Sequence, residues 1–177
     1  MPERPVPEVT PAYFEILVVR ELRKAGLEVS DARVYRRSEL PEAERGFVLE
    51  LRAWLRHAQW QRCALIGCRR QMAALGGAAV EAVAARLAEA QADVGLLFAA
   101  ADYAPDALAA AEERRIALLR VVEARVALEL AGWGSPGQYP SWMPAHLVQL
   151  VDRGVAGEPR VRLVEPGQAD AIIQRCG

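Results

Sequence analysis

Lysine is almost missing from this chain: of its 22 basic residues, all but Lys24 are arginine. With the many alanines, that skew reads as the mark of a GC-rich coding sequence rather than of a function. The three cysteines, Cys63, Cys68 and Cys176, make no CxxC pair and no zinc-ligand spacing, which excludes a disulfide framework and a zinc site and leaves free thiols in a reducing compartment. Cys63 and Cys68 are an odd number of residues apart on one strand, so they face opposite sides. Only two histidines occur, His57 and His146, each isolated, which leaves no Ser–His–Asp or Cys–His constellation. No apolar run reaches the ~18 residues of a membrane span. The opening Met-Pro-Glu-Arg-Pro-Val-Pro-Glu is no signal peptide, so cytoplasm is the expected location. Gly76-Gly77 precedes a helix but lacks the context of a phosphate-binding loop, so no nucleotide is expected. Net charge is only −1, which excludes a global pull toward nucleic acid or anionic membrane while allowing a local basic face.

What is present is an ordinary globular composition, 53% hydrophobic and 25% charged over 177 residues, enough for one domain with its own core. Residues 1–9 read as a flexible arm. Thr10-Pro11 is a helix start, and Phe14, Leu17, Val18, Leu22 and Ala25 recur at helical spacing until Gly26. A strand over 27–36 and a charged loop over 38–45 follow. Beyond Gly76-Gly77, the pattern gives a helix over 78–91, a buried strand over 93–101, an Ala-rich helix to about 115 and a buried strand over 116–122. With the strand before them these form parallel crossovers. Residues 131–177 read as a C-terminal extension: a turn-rich linker, a short helix from Ser141 to about Arg153, a strand near 160–164 and a last helix from Gln168.

The centre of the chain is 46–71, read as two adjacent strands. On the first, Phe47, Leu49 and Leu51 face one way, while Glu50 and Arg52 face the other. On the second, Gly67 and Arg69 share a face. A carboxylate beside a polar strand end is where a hydrolytic metal site could sit, but no second carboxylate stands near Gly67.

This order of elements resembles the Mrr-like branch of the restriction-endonuclease-like (PD-(D/E)XK nuclease) superfamily. The resemblance runs over roughly 11–125. It rests on the helix with Phe14-Glu15, the strands around Glu50 and Gly67-Cys68-Arg69, and the buried strand leading through Ala100 to Tyr103 into an Ala-rich helix. It implies an α/β fold, 10–130, with a central mixed sheet flanked by helices. It also implies Mg²⁺-dependent cleavage of DNA, in which metal neutralises the anionic transition state and helps make hydroxide. Carried over by position, Glu15 matches the first-helix acid and Glu50 the strand Asp. Gly67 replaces an acid or Gln, and Arg69 replaces a Lys. Glycine offers no side-chain ligand and arginine cannot act as a tunable base.

The reading preferred on these residues is a nuclease-fold protein that has lost cleavage and serves as a DNA-binding or regulatory module. No cofactor is expected, and Arg69 is expected to pair with Glu50 where relatives keep a metal. DNA contacts are expected from Arg36, Arg37, Arg52 and Arg70, within a run of nine arginines over 33–70. One alternative is an active Mg²⁺-dependent endonuclease with Glu50 and Glu15 as ligands. Another is a protein-interaction or homodimerisation module using Trp133, Tyr139, Trp142 and Met143. No membrane partner is expected.

Overall fold

A computed structural model describes residues 10–42, 48–71, 73–130, 141 and 143–177. The flexible-arm reading of 1–9 lies outside the described residues, as do Arg45, Phe47, Trp133, Tyr139 and Trp142.

Helix α1 (Pro11–Ala25) begins and ends as its sequence dictates. The Thr10 hydroxyl accepts from the Tyr13 amide at 3.2 Å, and Gly26 closes the helix at φ 109°. That left-handed conformation suits glycine, which has no Cβ to clash. Strand β1 (Glu28–Val34) and a 3-10 turn (Arg37–Glu39) lead into the hairpin of β2 (Val48–His57) and β3 (Trp60–Arg69). Helix α2 (Gly77–Glu89), β4 (Val94–Ala99), α3 (Pro105–Arg114) and β5 (Ile116–Glu123) follow, then α4 (Ala124–Leu130), β6 (His146–Arg153), β7 (Pro159–Leu163) and α5 (Ala169–Cys176).

The sheet has seven strands in sequence order. β1, β2 and β3 form an antiparallel meander; β3, β4 and β5 run parallel; β6 and β7 return antiparallel. The expected mixed α/β sheet and its parallel crossovers are therefore present. The short helix expected over 141–153 is not: those residues supply β6, paired with β5 from Glu123–His146 to Leu118–Val151. The C-terminal segment thus adds two strands to the central sheet, and its last helix packs on one face of it.

Two apolar layers sandwich the sheet. On one face α1 and α5 pack on Leu49, Leu51, Ile66, Cys68, Leu96, Phe98, Leu119 and Leu150. On the other, α2 and α3 pack on Leu97, Ala99, Ile116, Leu118 and Val151. Strand alternation thus sends Cys68 to the α1 side and Gly67 and Arg69 to the α2 side. Close approach of α2 requires Gly95, where an added Cβ would meet Ile116 Cδ1 at 2.7 Å and Val83 Cγ1 at 3.2 Å. Gly67 is under no such constraint: a Cβ there would find ordinary contacts from 3.8 Å outward.

Candidate functional site

Glu50 and Gly67 are direct partners across the β2–β3 ladder, and Arg69 lies one step along the same face, opposite Val48. The first-helix acid is elsewhere. Glu15 belongs to α1, which covers the opposite layer. The structure therefore brings together Glu50, Gly67 and Arg69 but not Glu15. They line a cavity of about 250 Å³ together with Arg86 and Glu89 from α2 and with Val48, Val83 and Leu97.

The guanidinium on Glu50 belongs to Arg86, not to the Arg69 named from sequence. Its Nη2 donates to Glu50 Oε2 at 2.8 Å, and its Nε lies 3.2 and 3.3 Å from the two carboxylate oxygens. The remaining Nη1 donates to Glu89 at 2.6 Å. Glu50 is only 6% exposed, so the charge-assisted pair is held largely out of water. The hydrogen bonds that Arg86 donates to Glu50 push its pKa further up against the opposing cost of burial, with Glu89 adding to the same effect. Tyr35 lies beneath, its ring centroid 5.9 Å from Arg86 and 5.2 Å from Arg33. Arg69 is 8% exposed and lines the cavity beside this cluster.

The four arginines named for DNA contact fall in different places. Arg52 is engaged inside the fold: Nε donates to Ala90 O at 3.2 Å and Nη2 to Gln91 O at 3.4 Å, so it caps the carboxyl end of α2. Cations are favoured there by the helix dipole and the unsatisfied carbonyls. Arg36 and Arg37 are exposed on the turn after β1. Arg70 is half-buried just past the end of β3. Sequence reasoning missed Arg86. The available signal was its position three residues after Val83, on the stripe with Ala79 and Val80 that α2 buries.

Can these residues hold the Mg²⁺ implied by the fold? A Mg²⁺ site rests on one or two carboxylates with waters and phosphate. Here the buried carboxylate is already engaged by a guanidinium, Gly67 supplies no side-chain oxygen, and Arg69 is a cation. Among the described residues no group of three His, Cys, Asp or Glu side chains could hold a metal ion. The donor set does not fit.

A meander carrying one buried carboxylate, joined to parallel crossovers with helices on both faces, is the architecture of a restriction-endonuclease-like domain. The family model described as restriction endonuclease, the Mrr catalytic domain, matches residues 6–124, and the chain belongs to that family. No curated protein and no solved structure matches the chain significantly. No helix among the described residues is long and apolar enough to cross a membrane.

Proposed function

We propose that this is a restriction-endonuclease-fold protein that no longer cleaves DNA and acts as a DNA-binding or regulatory module. The observation that carries this reading is the Arg86–Glu50 pair. A fixed guanidinium neutralises the carboxylate that catalysis would need for a metal, and it cannot polarise a water into hydroxide. Binding is supported by where the arginines collect. β1 ends, β2 begins, and β3, β4 and β5 all end on one side of the sheet. That side carries Arg36, Arg37, Arg69, Arg70 and Arg120, with Glu39 and Asp102 among them. A row of arginines along one rim is an electrostatic footprint for a phosphate backbone, despite the net charge of −1.

The test pairs plasmid cleavage in Mg²⁺ and Mn²⁺ with fluorescence anisotropy on short duplex DNA at two salt concentrations. Wild type and Glu50→Ala should show equal, background scission, and wild-type binding should weaken as salt rises. Nicking by wild type that Glu50→Ala abolishes would mean an active enzyme. Absence of binding at low salt would end the DNA reading.

A further inference from the structure

A second arginine stands two strands from Arg69 on the same rim. Arg69 on β3, Ala99 on β4, Arg120 on β5 and Gln149 on β6 are successive partners in register, so their side chains form one row on the α2–α3 face. Strands lie ~4.8 Å apart, which places the two arginine Cα atoms about 10 Å apart with only a methyl group between them. Carboxyl ends of parallel strands are where open α/β sheets take ligands.

Arg120 is only partly satisfied there. Its Nη1 lies 2.8 Å from Asp102 Oδ1, and that carboxylate is 71% exposed against 26% for the arginine side chain. Arg120 Nε is buried with no hydrogen-bond partner among the described residues, and so is Oε1 of Gln149 directly across the ladder. A buried polar group left without a partner is costly, because it has given up water for nothing in return. A carboxamide turned end for end presents N–H where it now presents oxygen, giving two donors side by side. Nearby, Tyr103 places its hydroxyl 2.8 Å from the carbonyls of both Leu97 and Leu119. Burial pushes that phenol well above its usual range, while the bond to Leu119 and the charges of Arg120 and Arg69 act in the opposite direction.

We propose that Arg120 and Gln149, flanked by Arg69, form a phosphate-binding site at this rim, with the Asp102 carboxylate as an internal occupant that an incoming phosphate group displaces. A planar guanidinium suits the oxygens of a phosphate; Asp102 already supplies an anionic oxygen at Nη1, and Nε is left without a partner among the described residues. The source we favour is a nucleic-acid phosphodiester, a choice that rests on the DNA-binding reading above. A free phosphate or small phosphate ester has the same chemistry.

Thermal unfolding in inorganic phosphate against chloride of equal ionic strength tests the site itself. Phosphate should raise the midpoint, as any ligand that binds only the folded state does. The rise should be larger in Asp102→Asn than in wild type and absent in Arg120→Gln. Asp102 is exposed, so its variant keeps the test open even if Arg120→Gln folds poorly. No greater rise in Asp102→Asn than in wild type overturns the site. Anisotropy then identifies the source. On duplex DNA, Asp102→Asn should bind about two- to fivefold tighter, the size of an exposed ion pair. Arg120→Gln should lower the log–log salt slope by about 1. DNA binding indifferent to both substitutions would leave the DNA reading standing and remove this site from it. A phosphate response without any DNA binding would keep the site and point to a small phosphate ester.

Discussion

Arg86 holds two carboxylates at once, Glu50 through Nε and Nη2 and Glu89 through Nη1. Removing it leaves Glu50 buried without its counter-charge. Breaking one side of a buried pair costs about 3–5 kcal/mol, so Arg86→Ala should show a large drop in the urea midpoint. It should also leave Glu50 and Glu89 bordering the vacated space, and two carboxylates with water suffice for a hard divalent cation. Calorimetric titration with Mn²⁺ should therefore give a signal in Arg86→Ala that is absent from wild type. Equal binding by both proteins would show that Arg86 does not fill a metal's place. The expectation that a guanidinium neutralises Glu50 was drawn from sequence through the wrong residue. Strand alternation correctly put Arg69 on the face of Glu50, but the direct partner of Glu50 across the ladder is Gly67, and the helix above brings Arg86 down from 36 residues away. Only tertiary docking of α2 decides that, and an arginine in an alanine-rich helix reads locally as a solvated position.

At the scale of elements, α2 is fastened to β2 by two arginines, Arg86 near its last turn and Arg52 reaching up to the carbonyls of Ala90 and Gln91. The Arg52 contacts are charge-assisted bonds at a helix carboxyl end, worth about 0.5–2 kcal/mol. Arg52→Ala should speed hydrogen exchange at the Ala90, Gln91 and Ala92 amides, which close the helix onto Arg86, Ala88 and Leu87. Exchange in β4 should be unchanged; uniform acceleration there would mean that Arg52 stabilises the whole fold rather than this helix end. Elements with local signals were legible from sequence: the Thr10 and Gly26 caps of α1, the alternation of β2 and the continuous apolar run of β4. The segment that became β6 carried no deciding signal. Leu147, Val148, Leu150 and Val151 fit a helical stripe as well as a strand, and the choice is made by ladder partners on β5. The same local ambiguity separated the C-terminal elements from the sheet in the sequence reading.

For the whole molecule, the family match ends at residue 124, yet the core continues. Val148, Leu150, Val164, Ala169, Ile172 and Cys176 lie in the same buried layer as Phe14, Leu51 and Phe98. Without β6 and α5, Leu119 and Val121 of β5 would lose their cover, and β5 would become an apolar edge strand open to aggregation. A chain ending after Leu130 should therefore fail to fold cooperatively. The intact protein should unfold as one unit, and its thiols report this directly. Cys63, Cys68 and Cys176 are all buried. Burial pushes Cys68 and Cys176 up to about 12 and raises Cys63 as well, so little reactive thiolate exists near neutral pH. Cys63 and Cys68 sit on the central β3 and Cys176 in the terminal helix, so they sample the matched region and the added one separately. Mass-resolved labelling in rising urea should modify all three at one midpoint, because the layer that buries Cys176 is the layer that buries Cys68. Early reaction of Cys176 alone, with Cys63 and Cys68 still protected, would mean that α5 opens independently and that the core does not depend on it.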